Sequence, residues 1–316
     1  MAIFAQNSKK CVIMSPIRNF DAMVTRLLSQ ASAPVRVAVV CPDDEATVEA
    51  VARGLSLGII ACRLYCKAPA SLPAALRDYA ASCTVVECAD ADEAARAAVA
   101  DVRECRADVL MKGLINTDNL LRAVLDKQHG LLPPGGVMSH LTVMQVPGYD
   151  KLLFMSDVAV IPFPTAVQRA AMVGYVADAC RALGIERPRM ALVHCTEKTS
   201  PKFPVTLGYA DIVARAAAGE WGDVAVAGPM DVKTACDSHS ARVKGLTSEV
   251  CGHADALIFP DIEAGNVFYK TMTCFAGAET AGVLTGTMAP VVVPSRSDDA
   301  GSKFASLALA ALTGRR

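Results

Sequence analysis

The sequence is poor in charge of either sign. Only 20% of its 316 residues are Asp, Glu, Lys or Arg, whereas 53% are hydrophobic, and the formal net charge is −1. Because a chain with this balance can bury a core, the composition excludes an intrinsically disordered protein. A charge this close to zero also gives no extended basic surface, so we expect no nucleic-acid partner.

Long hydrophobic runs are also absent. Arg, Lys or Asp interrupts every apolar run before it reaches the roughly 18–20 residues that a membrane-spanning helix needs. Lys9 and Lys10 precede a short mixed segment rather than a long apolar one, so no signal peptide is expected. These features predict a cytoplasmic protein with no membrane partner.

Several cofactor and metal motifs are missing. The twelve cysteines form no CxxC pair, and the five histidines are scattered, so zinc-ligand spacing does not occur. The sequence also lacks GxGxxG, GxxxxGK[ST] and HExxH. The usual motifs of a dinucleotide-binding fold, of a P-loop nucleotide-binding protein and of a zinc protease are therefore absent. We therefore expect reduced thiols, no metal and no tightly bound cofactor.

What the sequence does contain is an alternation of short β-branched runs and longer Ala-rich stretches. Helices are predicted at Asp43–Leu57, with Asp43 as N-cap, and at Thr165–Leu183, closed by Gly184. Alternation at this spacing predicts an α/β fold with a mostly parallel sheet. The predicted strands are Val35–Cys41, Ala61–Cys66, Thr84–Cys88, Asp108–Lys112, Val137–Val146, Leu152–Ile161, Met190–His194, Asp223–Ala227, Asp255–Phe259, Gly282–Leu284 and Pro290–Val293.

Polar clusters after these strands are the candidate sites, because open α/β sheets bind ligands at the carboxyl ends of their strands. The first cluster comprises Lys112, Gly113, Asn116 and Thr117, with Arg122 further along the same helix. Gly113 allows close backbone approach, Thr117 can cap the helix, and free N–H groups there would suit an anion. An ordinary strand–turn–helix junction is the alternative.

A second cluster places Ser139 next to His140 after a Gly-Gly turn. Because neighbouring residues of a strand point to opposite faces, this pair is more typical of a turn than of a catalytic dyad.

The third cluster, Asp261–Lys270, places Asn266 and Lys270 four residues apart on one helix face near its N-terminus. An amide donor and a cation there can hold phosphate, although a solvated helix face with Tyr269 turned inward explains the pattern equally well.

The fourth cluster is Ser295-Arg296 after the last strand. Arg offers a bidentate fork to phosphate, and a Ser hydroxyl can donate to an oxyanion. A plain helix cap with an exposed Arg is the alternative. The helix that follows has an apolar face formed by Phe304, Leu307, Ala308 and Ala311.

Several of these clusters, in this order, resemble the phosphate acetyl/butyryl transferase family. The most specific stretches are ADVLMKGLIN (107–116), LLFMSDVAVIPFP (152–164), DIEAGNVFYK (261–270) and APVVVPSR (289–296). The form MKGLIN followed by MSH is more similar to the butyryl branch than to the acetyl branch.

The resemblance implies reversible transfer of a short acyl group between coenzyme A and inorganic phosphate, through thiolate attack on an acyl phosphate. It also implies two α/β/α domains of the isocitrate/isopropylmalate dehydrogenase type with the site in the interdomain cleft. We would place the first domain at 1–139 plus 288–316 and the second at 140–287. Coenzyme A, phosphate and acyl phosphate are the expected small-molecule partners, and a homodimer or higher homo-oligomer is expected.

Residue by residue, the resemblance makes Ser295 the oxyanion donor and Arg296 the phosphate ligand. Lys112, Gly113, Asn116, Thr117, Arg122, Ser139, His140, Asn266 and Lys270 become candidate substrate-binding residues. The acetyl branch carries a carboxylate, its thiol base, six residues after the motif Arg, but Ser302 stands there in this chain. The identity of the base therefore stays open between Asp298, Asp299 and catalysis without a dedicated base.

Three functions remain open at this point. The first is a phosphate acyltransferase, with butyryl transfer preferred and acetyl transfer as the alternative. A non-catalytic acyl-CoA sensor is a second class, disfavoured by the retained Ser295-Arg296 pair. A metal- and nicotinamide-dependent dehydrogenase of the same fold is a third, but the sequence shows no convergent set of aspartates for a divalent ion.

Overall fold

The computed structural model describes residues 15–30 and 33–314, so the expectation about a signal peptide lies largely outside the described residues. Within them the chain forms eleven strands, ten α-helices and one 3₁₀ helix, Ala74–Ser82. The strands are β1 (Val35–Val40), β2 (Ile60–Lys67), β3 (Cys83–Cys88), β4 (Val109–Lys112), β5 (Ser139–Gln145), β6 (Leu152–Ser156), β7 (Arg189–Val193), β8 (Ala225–Met230), β9 (Ala256–Ile258), β10 (Glu279–Thr285) and β11 (Val291–Val292). The helices are α1 (Phe20–Gln30), α2 (Glu45–Ser56), α3 (Ala91–Arg103), α4 (Thr117–Val124), α5 (Ala166–Ala182), α6 (Pro204–Ala217), α7 (Val232–Cys236), α8 (Ser238–Val243), α9 (Ile262–Phe275) and α10 (Ala300–Thr313).

All eleven strands pair into one sheet with the order β3-β2-β1-β4-β11-β10-β5-β6-β9-β7-β8. The pairings are parallel except for β11 with β10, β10 with β5 and β5 with β6. The predicted α/β class and mostly parallel sheet are thus confirmed. The three antiparallel pairs reverse the direction of the sheet, so the strands from β6 to β8 run opposite to those from β3 to β11.

The sheet is covered by helices on both faces. Val37 and Val39 of β1 belong to an apolar core shared with α2, α5 and α10, whereas Ala38 and Val40 belong to a second core shared with α3 and α4. This split follows from the alternation of side chains along a strand. It explains why central strands read as continuous apolar runs in the sequence.

Helix boundaries follow the capping chemistry, with one correction to the prediction. Thr165 and Gln168 form a reciprocal capping box at the start of α5, as the predicted start at Thr165 requires. At α2 the N-cap is Asp44, not Asp43, because the side chain of Asp44 accepts from the backbone N–H of Thr47.

Helix α10 joins distant parts of the sheet. Its predicted apolar face is buried, and it packs against β10 and α2. Lys303 of α10 is 4% exposed and donates to Oδ1 of Asp44 at 2.5 Å and to Oγ1 of Thr47 at 3.1 Å. These contacts anchor the first turns of α10 to the start of α2, and the turn with Ser295 and Arg296 directly precedes α10.

Candidate active site

A cavity of about 230 Å³ lies over the face of β5 and β10, where the sheet changes direction. It extends from the chain after β6 to the turn after β11 and is bordered by α4 and α9. Five of the predicted site residues line it: Thr117, His140, Asn266, Lys270 and Ser295. The cavity therefore brings together residues that lie far apart in the sequence. They come from the ends of separate strands, from a central strand, and from helices α4 and α9.

The turn after β11 is closed by an aspartate that the sequence left ambiguous. The backbone N–H of Ser295 donates to Oδ2 of Asp298 at 2.8 Å, and the N–H of Asp298 donates to the carbonyl of Ser295 at 3.2 Å. Oγ of Ser295 lies 3.0 Å from Oγ of Ser297. Asp298 lines the cavity beside Ser295, whereas Asp299 is the N-cap of α10.

His140 presents its ring to the cavity from β5. Its Nδ1 lies 3.0 Å from Oγ1 of Thr142, which also lines the cavity. Burial lowers the pKa of His140, and this outweighs the opposing effect of the carboxylates of Asp157 and Asp298. The imidazole is therefore neutral at neutral pH.

Ser139 does not line the cavity but belongs to a buried network behind it. Its Oγ lies 2.8 Å from Oγ of Ser156 and donates to Oδ2 of Asp157 at 3.1 Å. The same Oδ2 accepts from the N–H of His140 at 2.9 Å, and Oδ1 accepts from the N–H groups of residues 159 and 160. Asp157 thus fixes the loop that forms one wall, a role that the sequence analysis missed although an acid directly after a buried strand could have signalled it.

Two residues of the first polar cluster, Lys112 and Gly113, are buried. Lys112 is 2% exposed, and its pKa is lowered by burial and by the positive charges of Arg296 and Lys303. The N–H of Gly113 donates to the carbonyl of Val40 at 2.8 Å. The expectation that this N–H is free for an anion is therefore wrong.

Gly113 is required by packing instead. A Cβ atom at this position would lie 2.1 Å from the carbonyl oxygen of Cys41. The N-cap of α4 is Asn116, whose side chain accepts from the N–H of Asp118, and not Thr117 as predicted. Thr117 is the first residue of α4 and lines the cavity.

Helix α9 contributes the amide of Asn266 and the ammonium group of Lys270 to the cavity, as predicted from their shared helix face. Nδ2 of Asn266 donates to the carbonyl of Val158 at 3.0 Å. Nζ of Lys270 lies 4.8 Å from the centre of the Tyr269 ring, and the hydroxyl of Tyr269 lies 3.4 Å from Oγ1 of Thr280. Burial raises the pKa of Tyr269, so its hydroxyl stays protonated.

Three predicted cations, namely Lys112, Arg122 and Arg296, are not among the residues that line the cavity. Arg296 is exposed on the turn between Ser295 and Asp298, close enough to Lys112 to lower its pKa. Arg122 lines a separate groove of about 500 Å³ between α3 and α4, together with Arg96, Arg103 and His129. Helix α4 therefore carries Thr117 toward the cavity and Arg122 toward this groove.

Residues 15–30 and 33–314 contain neither a cluster of metal-ligating side chains nor a membrane-spanning helix. In that part of the chain, His, Cys, Asp and Glu do not gather in a group of three or more suited to a metal ion. None of the helices described there has the length and apolar character needed to cross a bilayer.

The cavity combines hydroxyl, amide and ammonium donors with one carboxylate and one neutral imidazole. Donors of this kind bind an anion such as phosphate and stabilise an oxyanion, while the carboxylate and the imidazole can accept a proton. Apolar side chains form the remaining walls, namely Leu121, Val158, Val160, Leu284 and Val293. The arrangement suits an anionic group attached to a short apolar chain.

Comparison with known proteins agrees with this chemistry. A family model described as phosphate acetyl/butaryl transferase matches residues 77–311. The chain is 36% identical over 302 residues to a phosphate butyryltransferase of Clostridium acetobutylicum, covering 94% of this chain and 98% of that relative. It is 34% identical over 295 residues to a phosphate acetyltransferase of Rhizobium meliloti, covering 91% of this chain and 92% of that relative.

Among solved structures, the chain is similar to a branched-chain phosphotransacylase from Enterococcus faecalis. The TM-score is 0.79 at 27% identity, covering 89% of this chain and 99% of that one. A phosphotransacetylase from Streptococcus pyogenes shares the fold with a TM-score of 0.78 at 20% identity, covering 94% of this chain and 99% of that one.

Proposed function

Since the chain belongs to the phosphate acetyl/butaryl transferase family, we propose that it moves a short acyl group reversibly between coenzyme A and inorganic phosphate. The observation that carries this proposal is the cavity, where hydroxyl, amide and ammonium groups from separate elements converge. The protein is a phosphate acyltransferase, and coenzyme A is its substrate rather than a resident cofactor.

In this reaction the thiolate of coenzyme A attacks the carbonyl carbon of an acyl phosphate. The tetrahedral oxyanion receives a hydrogen bond from the Ser295 hydroxyl, and its collapse expels phosphate. Loss of one such donor typically lowers a rate by about 10²–10³. Arg296, Lys270 and Asn266 hold the phosphate, for which their charge and donors are suited.

Phosphate and the reacting carbonyl lie close to the turn after β11, because Ser295 and Arg296 are adjacent there. Thr117 contributes a second hydroxyl from the opposite side of the cavity. Lys112 and Gly113 act by shaping this end of the site, since both are buried beneath it. The positive charge of Lys112 favours anion binding even without direct contact.

The cavity also supports a short apolar acyl chain. Its volume of about 230 Å³ must hold the acyl group and phosphate together, and apolar side chains form much of its wall. A butyryl or branched four-carbon chain fits this requirement better than a long one. A pocket of this kind discriminates by only about 1–3 kcal/mol per methylene, so acetyl transfer at a lower rate is expected.

The two halves of the sheet correspond to the two domains that we propose. Strands β1–β4 and β11 come from residues 1–139 and 288–316, whereas β5–β10 come from residues 140–287, apart from Ser139 at the start of β5. In the sheet order these two sets are contiguous and meet between β11 and β10. We assign the cavity to the cleft between the two domains, as in the isocitrate/isopropylmalate dehydrogenase type.

We also propose a cytoplasmic location and self-association. The eleven cysteines that the structure describes are all free thiols, which supports a reducing compartment. Phe163 and Val167 are each 72% exposed near the start of α5, and such apolar side chains favour a subunit contact. A homodimer or higher homo-oligomer is the expected assembly.

A phosphate-dependent thiol-release assay tests the proposed function. Acetyl-, propionyl-, butyryl- and isobutyryl-CoA are supplied with phosphate, and acyl phosphate is trapped as the hydroxamate. We expect thiol and acyl phosphate in equal amounts, with four-carbon substrates fastest. Thiol release without acyl phosphate would indicate a hydrolase, and binding of acyl-CoA without turnover would indicate a sensor.

A further inference from the structure

We propose that the carboxylate of Asp298 is the base that takes the proton from the thiol of coenzyme A. This inference rests on the proposed acyl transfer and names the residue that activates its nucleophile. It fills the position left open by Ser302, where the acetyl branch carries a carboxylate.

Asp298 is held directly beside Ser295, the proposed oxyanion donor. It lines the cavity together with Ser295, and its Oδ2 accepts the backbone N–H of that residue at 2.8 Å. Among the described residues no hydrogen bond reaches its Oδ1. One oxygen thus fixes the carboxylate in the turn, and the other retains its capacity to accept a proton.

The neighbouring residues Asp299 and Ser302 are not suited to act as the base. Asp299 caps α10 through a 2.7 Å bond from the N–H of Ser302 to its Oδ1. Both Asp299 and Ser302 line a different cavity, which also contains Phe20 and Arg53. The first turn of α10 is therefore directed away from the reacting groups, and Asp298 supplies the carboxylate from the preceding turn.

Charged and titratable groups face Asp298 from each element around it. Lys112 of β4, His140 of β5 and Tyr269 of α9 interact with it electrostatically, and Arg296 lies on its own turn. Lys270 lines the same cavity from α9. The lysine and arginine charges favour the thiolate that this carboxylate generates.

The proton transfer balances in both directions. The S–H bond breaks, its proton moves to the Asp298 carboxylate, and the sulfur electron pair forms the C–S bond to the acyl carbon. The C–O bond to phosphate then breaks, and phosphate leaves with that electron pair. The protonated Asp298 passes its proton to the departing phosphate, and in the reverse reaction it protonates the departing thiolate.

The substitution Asp298→Asn separates this role from a structural one. The amide oxygen of Asn can still accept the Ser295 N–H, so the turn is retained while the base is lost. Loss of a general base lowers kcat/KM by about 10²–10⁴. When coenzyme A attacks acyl phosphate, we also expect the rate of D298N to rise about tenfold per pH unit toward pH 8.5, because the thiol must ionise in solution.

The wild type is expected to keep a flat profile between about pH 6 and 8, since carboxylates are ionised throughout that range. Asp299→Asn is the matched control: it removes the adjacent carboxylate but leaves a residue that caps helices well. We expect D299N to follow the wild-type profile. Asp298→Glu keeps a carboxylate and should keep the flat profile even where its rate is lower.

Three results would overturn the assignment. These are a wild-type rate in D298N, a lowered rate whose pH profile is parallel to that of the wild type, or a rising profile in His140→Gln but not in D298N. Absence of phosphate-dependent thiol release by the wild type is a separate result, which would refute the proposed function itself.

Discussion

A Cβ atom at position 282 would lie 3.0 Å from both Cε1 and Nε2 of His140. Gly282 of β10 is paired with Thr142 of β5, so it stands diagonally across from the imidazole on the same sheet face. The N–H of Gly282 is itself held by Oγ of Ser306 at 2.9 Å. The missing side chain at position 282 is therefore what leaves room for the ring within the cavity.

Gly282→Ala is predicted to impair catalysis by displacing this ring. The added methyl group forces the imidazole to move by a few tenths of an ångström and narrows the cavity. Because small misplacements in a site are costly, we expect kcat/KM to fall by roughly tenfold. Gly301→Ala is the control, since a Cβ there makes only an ordinary contact with Asp299. Equal activity of G282A and G301A would contradict the prediction.

The stability of the protein is predicted to decrease as the pH falls below about 6.5, in part because of His140. Burial lowers the pKa of this histidine in the folded state, so the unfolded chain binds a proton that the folded chain does not. The stabilisation is therefore complete above the unfolded pKa and is lost as the pH drops through it.

Urea unfolding at pH 7.5 and 5.5 measures this effect. One such group changes the free energy of unfolding by at most about 1.4 kcal/mol per pH unit. His140→Gln should show a smaller loss between the two pH values than the wild type, whereas His253→Gln, which alters an exposed residue, should not. Burial also lowers the pKa of His194, but this residue contributes equally to the wild type and to H140Q. Identical pH dependence of the two proteins would therefore refute the contribution of His140.

Arg122→Ala is predicted to weaken binding of coenzyme A without slowing the chemical step. The groove that Arg122 lines is separated from the cavity by α4, so the guanidinium cannot reach the reacting atoms. We propose that it contacts a distal phosphate of coenzyme A instead. We expect KM for coenzyme A to rise roughly tenfold, which corresponds to about 1.4 kcal/mol, with kcat and KM for phosphate unchanged.

The matched control is Arg242→Ala, which removes an exposed arginine on α8. A fall in kcat for R122A at unchanged KM would show that the groove is not a coenzyme A contact.

Buried strands carry β-branched runs that are easily recognised, so most strand ends were predicted to within a few residues. Val35–Val40 is one example. The exception is β6, which ends at Ser156 and not at Ile161 as predicted. Sequence reasoning did not predict that β10 and β5 reverse the sheet, since strand direction depends on pairing between distant segments. The cavity lies at this reversal, which explains why polar clusters from oppositely directed strands meet there.

The positions of some site residues could likewise be predicted from the sequence, and those of others could not. Asn266 and Lys270 were predicted to share a helix face, and the helix periodicity was sufficient to place both at the cavity. Lys112 was predicted as a substrate-binding residue, and its burial was not foreseen because it depends on tertiary packing that no local pattern reveals. Asp298 was left undecided because the phase of a helix start cannot be fixed to one residue from sequence.

The most direct test of the account is the rate of phosphate-dependent thiol release from butyryl-CoA by Ser295→Ala, compared with Ser302→Ala. Ser302 belongs to the same segment but lines another cavity. We expect S295A to lose about 10²–10³ in kcat, because its oxyanion donor is gone, and S302A to retain the wild-type rate. Equal rates for the two variants would mean that the reaction takes place elsewhere.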